Sequence, residues 1–186
     1  MKLRYMIYSA LFTALIAIGA YIRIPVPVVP FTLQFQFAGL SGLLLGKKYG
    51  AAAVAAYLLI GLAGVPIFAG GGGPGYVLMP TFGYLIGFLA GAYAAGAISA
   101  RRFTYKNLLA AGFVFFTIVY ATGMAYFFVI TNYYMKSPIG LGYLFLHCFI
   151  ATAPADAAMT FLSARLAQKL IPHMRLDVYP PYLETK

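Results

Sequence analysis

The chain carries no charged residue between Tyr49 and Ala100. A run of this length can cross a hydrocarbon core about 30 Å thick twice, at roughly 20 residues a pass. Hydrophobic residues make up 63% of the 186 residues, charged residues make up 9%, and the mean hydropathy is +0.88. The sequence therefore predicts an all-α integral membrane protein, because a helix satisfies its own backbone hydrogen bonds in lipid.

The charge distribution excludes several function classes. The formal net charge is +10, but the cations separate apolar segments instead of forming the basic stripe of a nucleic-acid-binding protein. One cysteine, Cys148, cannot form an intramolecular disulfide, and His147 and His173 lack the spacing of metal ligands. We expect no nucleic-acid partner, no metal and no bound cofactor.

Prolines, glycines and cations divide the chain into six predicted membrane helices. Proline ends or begins a helix because it lacks an N–H and restricts the residue before it. No convincing cleavage site follows the first apolar run, so we interpret it as a helix and not as a signal peptide. The predicted helices cover approximately residues 5–22, 33–46, 49–65, 80–100, 108–130 and 154–170, with a short helix ending near residue 151 before the last.

Six passes place eleven cations on one side of the membrane and only Arg23 and Lys136 on the other. The positive-inside rule then puts both termini, including a tail at 172–186, in the cytoplasm. A proline loop (residues 23–34), a glycine loop (residues 66–78) and Asp156 share the external half. Irregular backbone at membrane depth must be buried or line a cavity, so we expect an externally open ligand pocket.

Asp156 is the only acidic residue before Arg175, and its neighbours are Ala, Thr and Met. An Asp in the middle of a membrane helix costs roughly 2.5–3.5 kcal/mol on insertion scales, so it usually faces a cavity, a partner or a substrate. In the first turn of the last helix its charge would be favoured by free N–H groups and the helix dipole. A carboxylate that only caps this helix is the alternative interpretation.

Three segments occur in order along the chain: IPVPVVPFTLQ, GVPIFAGGGGPG and PTFGYLIGF. Their combination resembles the BioY family, the biotin-binding S components of energy-coupling factor (ECF) transporters, from the first helix to about Leu170. The resemblance implies six membrane helices in a prokaryotic plasma membrane and an external biotin pocket. It also implies assembly with a membrane coupling subunit, the T component, and with two cytoplasmic ATPases, so the chain itself is not an enzyme.

The resemblance and the residue chemistry together suggest a set of ligand-contacting residues. The N–H groups of the ureido ring of biotin would suit an acceptor-only carboxylate. The carboxylate of biotin could be bound by Arg23, by Lys136 or by N–H groups of the glycine loop. The candidates are Asp156, Tyr84, Gly83, Thr32, Gln34, Phe68, Gly71, Gly72 and Met159.

Some of these residues have simpler interpretations, and one departs from the family pattern. Tyr84 could anchor its helix at the membrane interface, and Thr32 and Gln34 could cap the second helix. The family usually carries Lys three residues after the Asp, where this chain has Met159. Either biotin is held without that lysine, or the pocket takes a related ligand such as lipoate or dethiobiotin.

Ala10 and Ala14 form the small-xxx-small spacing that lets helices approach closely in lipid, and Ala17 extends the same face. A similar Ala-rich face of S components docks the coupling subunit, and the resemblance implies that role here. A stand-alone secondary transporter would need internal repeats and coupling-ion sites. A membrane enzyme would need paired catalytic groups or a metal, which one Asp does not supply.

Overall fold

The structure is a computed structural model that describes residues 2–24, 29–174, 176 and 178. A pair of two-residue strands, β1 (Arg23–Ile24) and β2 (Phe31–Thr32), joins the first two helices. In the described part of the chain, five helical segments are long and apolar enough to cross a membrane, and the last of them, Leu141–Met174, contains two of the six helices named next. The helices are α1 (Lys2–Tyr21), α2 (Gln34–Leu62), α3 (Phe82–Ser99), α4 (Tyr105–Val129), α5 (Leu141–Phe145) and α6 (Ala153–Met174).

Helix α2 folds back on itself at Gly46, whose φ of 74° and ψ of 179° are not helical. The Ser41 hydroxyl donates to the Gly50 carbonyl at 3.2 Å, and the Gln34 side-chain amide donates to the Tyr57 hydroxyl. In a straight helix Gln34 and Tyr57 would lie about 34 Å apart along the axis. The segment is therefore a hairpin of two helical arms, and the break predicted after residue 46 coincides with its turn.

Small residues let α3 pack closely between α2 and α4. A Cβ on Gly83, Gly87 or Gly91 would come within 2.2 to 2.8 Å of atoms of α4. On the opposite side, a Cβ on Gly42 of α2 would lie 2.5 Å from the Ala92 carbonyl oxygen. Close approach of this kind is how helices associate in lipid, where the hydrophobic effect does not drive them together.

The segments predicted as loops contain short ordered elements. The strand pair lies within the proline loop, of which residues 25–28 are outside the described residues. The glycine loop contains a 3-10 turn at Pro74–Leu78. A π-helical turn at Ile130–Tyr134 follows α4. A second at Leu146–Ile150 precedes α6 and lies within the short helix predicted to end near residue 151. Helix α6 begins at Ala153, one residue before the predicted start at Pro154, and continues to Met174, so residues 172–174 of the predicted tail are helical. Most of the remaining tail lies outside the described residues.

Because the two arms of the α2 hairpin touch at Gly50, we expect Gly50→Ala to destabilise the protein. The new Cβ would lie 2.5 Å from the Ser41 carbonyl oxygen and 2.7 Å from the Gly42 Cα, both backbone atoms of the facing arm. Overpacking of this kind costs about 1–3 kcal/mol, and each kcal/mol lowers the melting temperature by roughly 2–4 °C. Cys148 is the single cysteine and is buried, so its reaction with a thiol-specific dye on heating measures unfolding.

Gly142→Ala is the matched control, because a Cβ there has nothing within 4 Å. It should leave the melting temperature unchanged or raise it slightly, since Ala favours the helix. If Gly50→Ala melted like the wild type, the two arms would not be packed against each other.

Candidate functional site

A cavity of about 220 Å³ lies where the proline loop, the glycine loop and the helices meet. Its lining comes from both loops and from α2, α3, α4 and α6. Apolar side chains, among them Phe35, Leu85, Phe88 and Val119, form much of the wall. Apolar walls with a few convergent polar groups are typical of small-molecule sites.

Asp156 lines this cavity and is only 8% exposed. Its Oδ2 accepts a hydrogen bond from the Tyr120 hydroxyl at 2.6 Å, and its Oδ1 is buried with no hydrogen-bond partner in the described part of the chain. The same Tyr120 hydroxyl lies 2.9 Å from the Thr152 hydroxyl. One carboxylate oxygen is therefore hydrogen-bonded to a neighbour, and the other is a buried acceptor without a donor among the described residues.

The surroundings of Asp156 differ from those of a carboxylate that caps a helix, the alternative interpretation. Its own backbone N–H donates to the Thr152 carbonyl at 3.1 Å, so that N–H is not one of the free groups at a helix start. None of the hydrogen bonds that the structure gives to the carboxylate comes from a backbone N–H; the donor is Tyr120. The capping interpretation does not account for this geometry.

Tyr84 also lines the cavity, and its side chain is buried in the protein interior. Its hydroxyl makes a long hydrogen bond, 3.4 Å, to the Cys148 carbonyl. Its ring meets that of Tyr120 edge to face, with centroids 6.1 Å apart. Two tyrosines, one from α3 and one from α4, thus form the wall next to the Asp156 carboxylate.

Thr32 and Gln34 also line the cavity. The Thr32 hydroxyl donates to Gln34 Oε1 at 3.2 Å, and α2 has no side-chain cap at its N-terminus. The Gln34 amide donates to Tyr57, whose hydroxyl donates in turn to the Ile67 carbonyl at 3.0 Å. This chain of hydrogen bonds connects the proline loop, both arms of α2 and the glycine loop.

The glycine loop borders the cavity through Ala69 and Gly70. Phe68 lies behind this border, fully buried between Tyr57 and Tyr76, with ring centroids 5.3 Å and 4.6 Å away. Its backbone exchanges two hydrogen bonds with that of Gly71.

Five candidates do not contribute to the cavity lining: Phe68, Gly71, Gly72, Gly83 and Met159. A Cβ on Gly72 would lie 2.2 Å from the Val65 carbonyl oxygen, and one on Gly83 would lie 2.2 Å from the Tyr126 Cβ. Gly72 and Gly83 thus permit close packing, whereas Gly71 has a φ of 122° and no atom of the described residues within 4 Å of its Cβ position. Their contact with a ligand stays a prediction.

Met159 is half-buried, packs against the apolar core and lies outside the cavity lining. The position at which the family usually carries Lys thus does not contribute to this cavity. The other residue of the family motif, Asp156, does. Contact between Met159 and a ligand also stays a prediction.

Sequence reasoning did not identify Tyr120 and Thr152, both of which contact the Asp156 site. Thr152 precedes Asp156 by four residues, a spacing that places both side chains on one helix face, so that signal was present in the sequence. Tyr120 is one of sixteen tyrosines and lies in an apolar helix. Only the packing of α4 against α6 reveals its role.

The predicted docking residues lie on a free face of α1. Ala10 and Ala14 are exposed, and Ala17 is half-buried. Leu3, Met6 and several other large apolar side chains of α1 are exposed as well. The face is therefore suited to lipid or to an apolar partner.

The chain was compared with known proteins by sequence and by fold. A sequence profile of the BioY family matches residues 1–175. The chain is 41% identical to a probable biotin transporter BioY of Lysinibacillus sphaericus over 89% of this chain and 85% of that protein. It is 43% identical to the biotin transporter BioY of Thermotoga maritima over 76% of this chain and 84% of the other.

A solved structure shares the fold. The crystal structure of the S-component for biotin from an ECF-type ABC transporter superposes with a TM-score of 0.70 at 27% identity, covering 91% of each chain. The profile match over nearly the whole length, the similar relatives and this shared fold agree with one another. The chain belongs to the BioY family.

Proposed function

We propose that this chain is the biotin-binding S component of an ECF importer and that it binds biotin in the cavity next to Asp156. The observation that carries the proposal is the buried Asp156 Oδ1, which lacks a partner in the described residues. A buried acceptor without a donor costs about 1–3 kcal/mol, more when it is charged. A ligand that supplies an N–H group recovers this energy on binding.

The chemistry of biotin suits the arrangement of the cavity. Its ureido ring offers N–H donors, which form charge-assisted hydrogen bonds to a carboxylate. Tyr120 orients that carboxylate from the opposite side. Phe35, Leu85 and Phe88 provide apolar surface for the rest of the bicyclic ring and the alkyl chain.

The related ligands differ in whether they carry an N–H donor for Asp156. Dethiobiotin keeps the ureido N–H groups and could satisfy Asp156 in the same way. The dithiolane ring of lipoate has no N–H donor and would leave the Asp156 Oδ1 unpaired. Because a site built around a hydrogen bond rejects an analogue without the donor, we infer that ureido ligands bind in preference to lipoate.

The proposal includes a topology of six membrane passes. Counting both arms of the α2 hairpin as passes gives six, and the positive-inside rule then places both termini and the tail at 172–186 in the cytoplasm. The first arm, residues 34–45, is about 18 Å long at 1.5 Å per residue, shorter than the hydrocarbon core. It would begin within the membrane, at the depth of the ligand cavity.

The transport cycle would depend on partners. We infer that the chain captures biotin outside the cell, and that a T component and two ATPases supply the energy for its release inside. Ala10, Ala14 and Ala17 on α1 would form the docking face for the T component.

Asp156→Asn should weaken biotin binding roughly 10- to 100-fold without unfolding the protein. The amide would present both a donor and an acceptor where the ligand needs a charged acceptor, and charge-assisted hydrogen bonds are worth about 1.5–3 kcal/mol each. Titration calorimetry of the detergent-purified protein measures the affinity. The unliganded variant should melt at the wild-type temperature or higher, because it removes the cost of burying a charge.

Thr117→Ala is the control for this experiment, since the Thr117 hydroxyl is bonded to the Phe113 carbonyl on an exposed face of α4. It should leave the affinity for biotin unchanged. A stable Asp156→Asn variant that bound biotin like the wild type would remove Asp156 from the ligand site.

Ala10→Trp combined with Ala14→Trp should abolish co-purification with coexpressed T component and ATPases while biotin affinity stays at the wild-type value. Two bulky side chains would prevent close helix approach at this face. Ala110→Trp on α4 is the matched control, because Ala110 is also an exposed alanine. Assembly that survived the double substitution would exclude this face as the docking site.

A further inference from the structure

We propose that Arg23 binds the carboxylate of the ligand at the mouth of the cavity and thereby sets the orientation in which the ligand enters. This inference rests on the proposed biotin function. It assigns the carboxylate partner that the sequence left open among Arg23, Lys136 and the glycine loop.

The two cations predicted on the external side differ in their position relative to the cavity. Arg23 lines the cavity, whereas Lys136, in the segment between α4 and α5, does not. Both residues are exposed. Among the described residues that line the cavity, Arg23 and Asp156 are the two that carry a charge, so Arg23 is the cation available to an anionic ligand group.

The N–H groups of the glycine loop are largely occupied. The Gly70 N–H donates to the Tyr76 hydroxyl at 3.3 Å. The Gly71 N–H donates to the Phe68 carbonyl at 3.1 Å, and the Gly73 N–H donates to the Gly61 carbonyl at 2.8 Å. Binding a carboxylate there would break hydrogen bonds that hold the loop together, which favours Arg23 as the partner.

The guanidinium of Arg23 is held in place before a ligand arrives. Its Nη1 donates to the Ala69 carbonyl at 2.5 Å, so it bridges the proline loop and the glycine loop. Its backbone pairs with Thr32, another residue of the lining. Since a guanidinium has five N–H donors, this contact leaves enough of them for a bidentate bond to a carboxylate.

The charges at the two positions also define a direction. Asp156 is buried on α6, whereas Arg23 is exposed and bonded to the glycine loop. A ligand that enters with its ureido ring leading would place that ring near the Asp156 acceptor and its carboxylate near Arg23 at the mouth. The reverse orientation would bring two carboxylates together, and like charges brought together oppose binding.

The test compares biotin with biotinamide, in which a neutral amide replaces the carboxylate, on the wild type and on Arg23→Gln. We expect Arg23→Gln to bind biotin roughly 10- to 100-fold more weakly than the wild type, from the loss of a charge-assisted hydrogen bond. Biotinamide should bind both proteins with similar affinity. Arg23→Lys should recover part of the loss, because it keeps the charge without the bidentate geometry.

Lys136→Gln, which removes an exposed cation outside the lining, should bind both ligands like the wild type. Thermal reaction of Cys148 with the thiol-specific dye checks that each variant is folded. Equal losses for biotin and biotinamide in Arg23→Gln would overturn the inference, because Arg23 would then act only by holding the loops. An unchanged biotin affinity in that variant would overturn it as well. A wild type that binds neither ligand would instead overturn the proposed function.

Discussion

The Tyr120 hydroxyl donates a hydrogen bond to Asp156 Oδ2 at 2.6 Å, and the rest of the site is arranged around that contact. A carboxylate among membrane helices is costly unless its oxygens are paired. Tyr120 comes from α4 and Asp156 from α6, and the helices approach closely nearby because Gly112 lies against Thr160. One carboxylate oxygen is thereby fixed, and the second is buried without a hydrogen-bond partner among the described residues. Leaving this oxygen without a hydrogen bond costs free energy, and a ligand that donates an N–H to it would recover that cost.

The requirement that polar groups within a membrane be paired also applies to the segments outside the helices. Irregular backbone at membrane depth is tolerated where its polar groups are paired. In the glycine loop this pairing is internal, and the Thr32, Gln34 and Tyr57 side chains connect the loop to the start of α2. The cavity is therefore bordered by loops that are hydrogen-bonded to the helices, so its polar groups are in position before the ligand binds.

The helical membrane class, the break in α2 and the start of α6 could be predicted because charge, glycine and proline mark them locally. Asp156, Tyr84, Thr32 and Gln34 were predicted and line one cavity. Tyr120 could not be predicted, because an aromatic residue in an apolar helix has no local signal of its partner. Gly83 and Gly72 belong to conspicuous motifs but serve close packing in this structure, a distinction that depends on which helix or carbonyl lies opposite.

The most direct test of the account is an experimentally determined structure of the protein with biotin bound. We predict a ureido N–H within hydrogen-bonding distance of Asp156 Oδ1, with Tyr120 still bonded to Oδ2 and the ligand carboxylate directed toward the mouth of the cavity. Biotin bound with its ureido ring away from Asp156, or in a different part of the molecule, would contradict it.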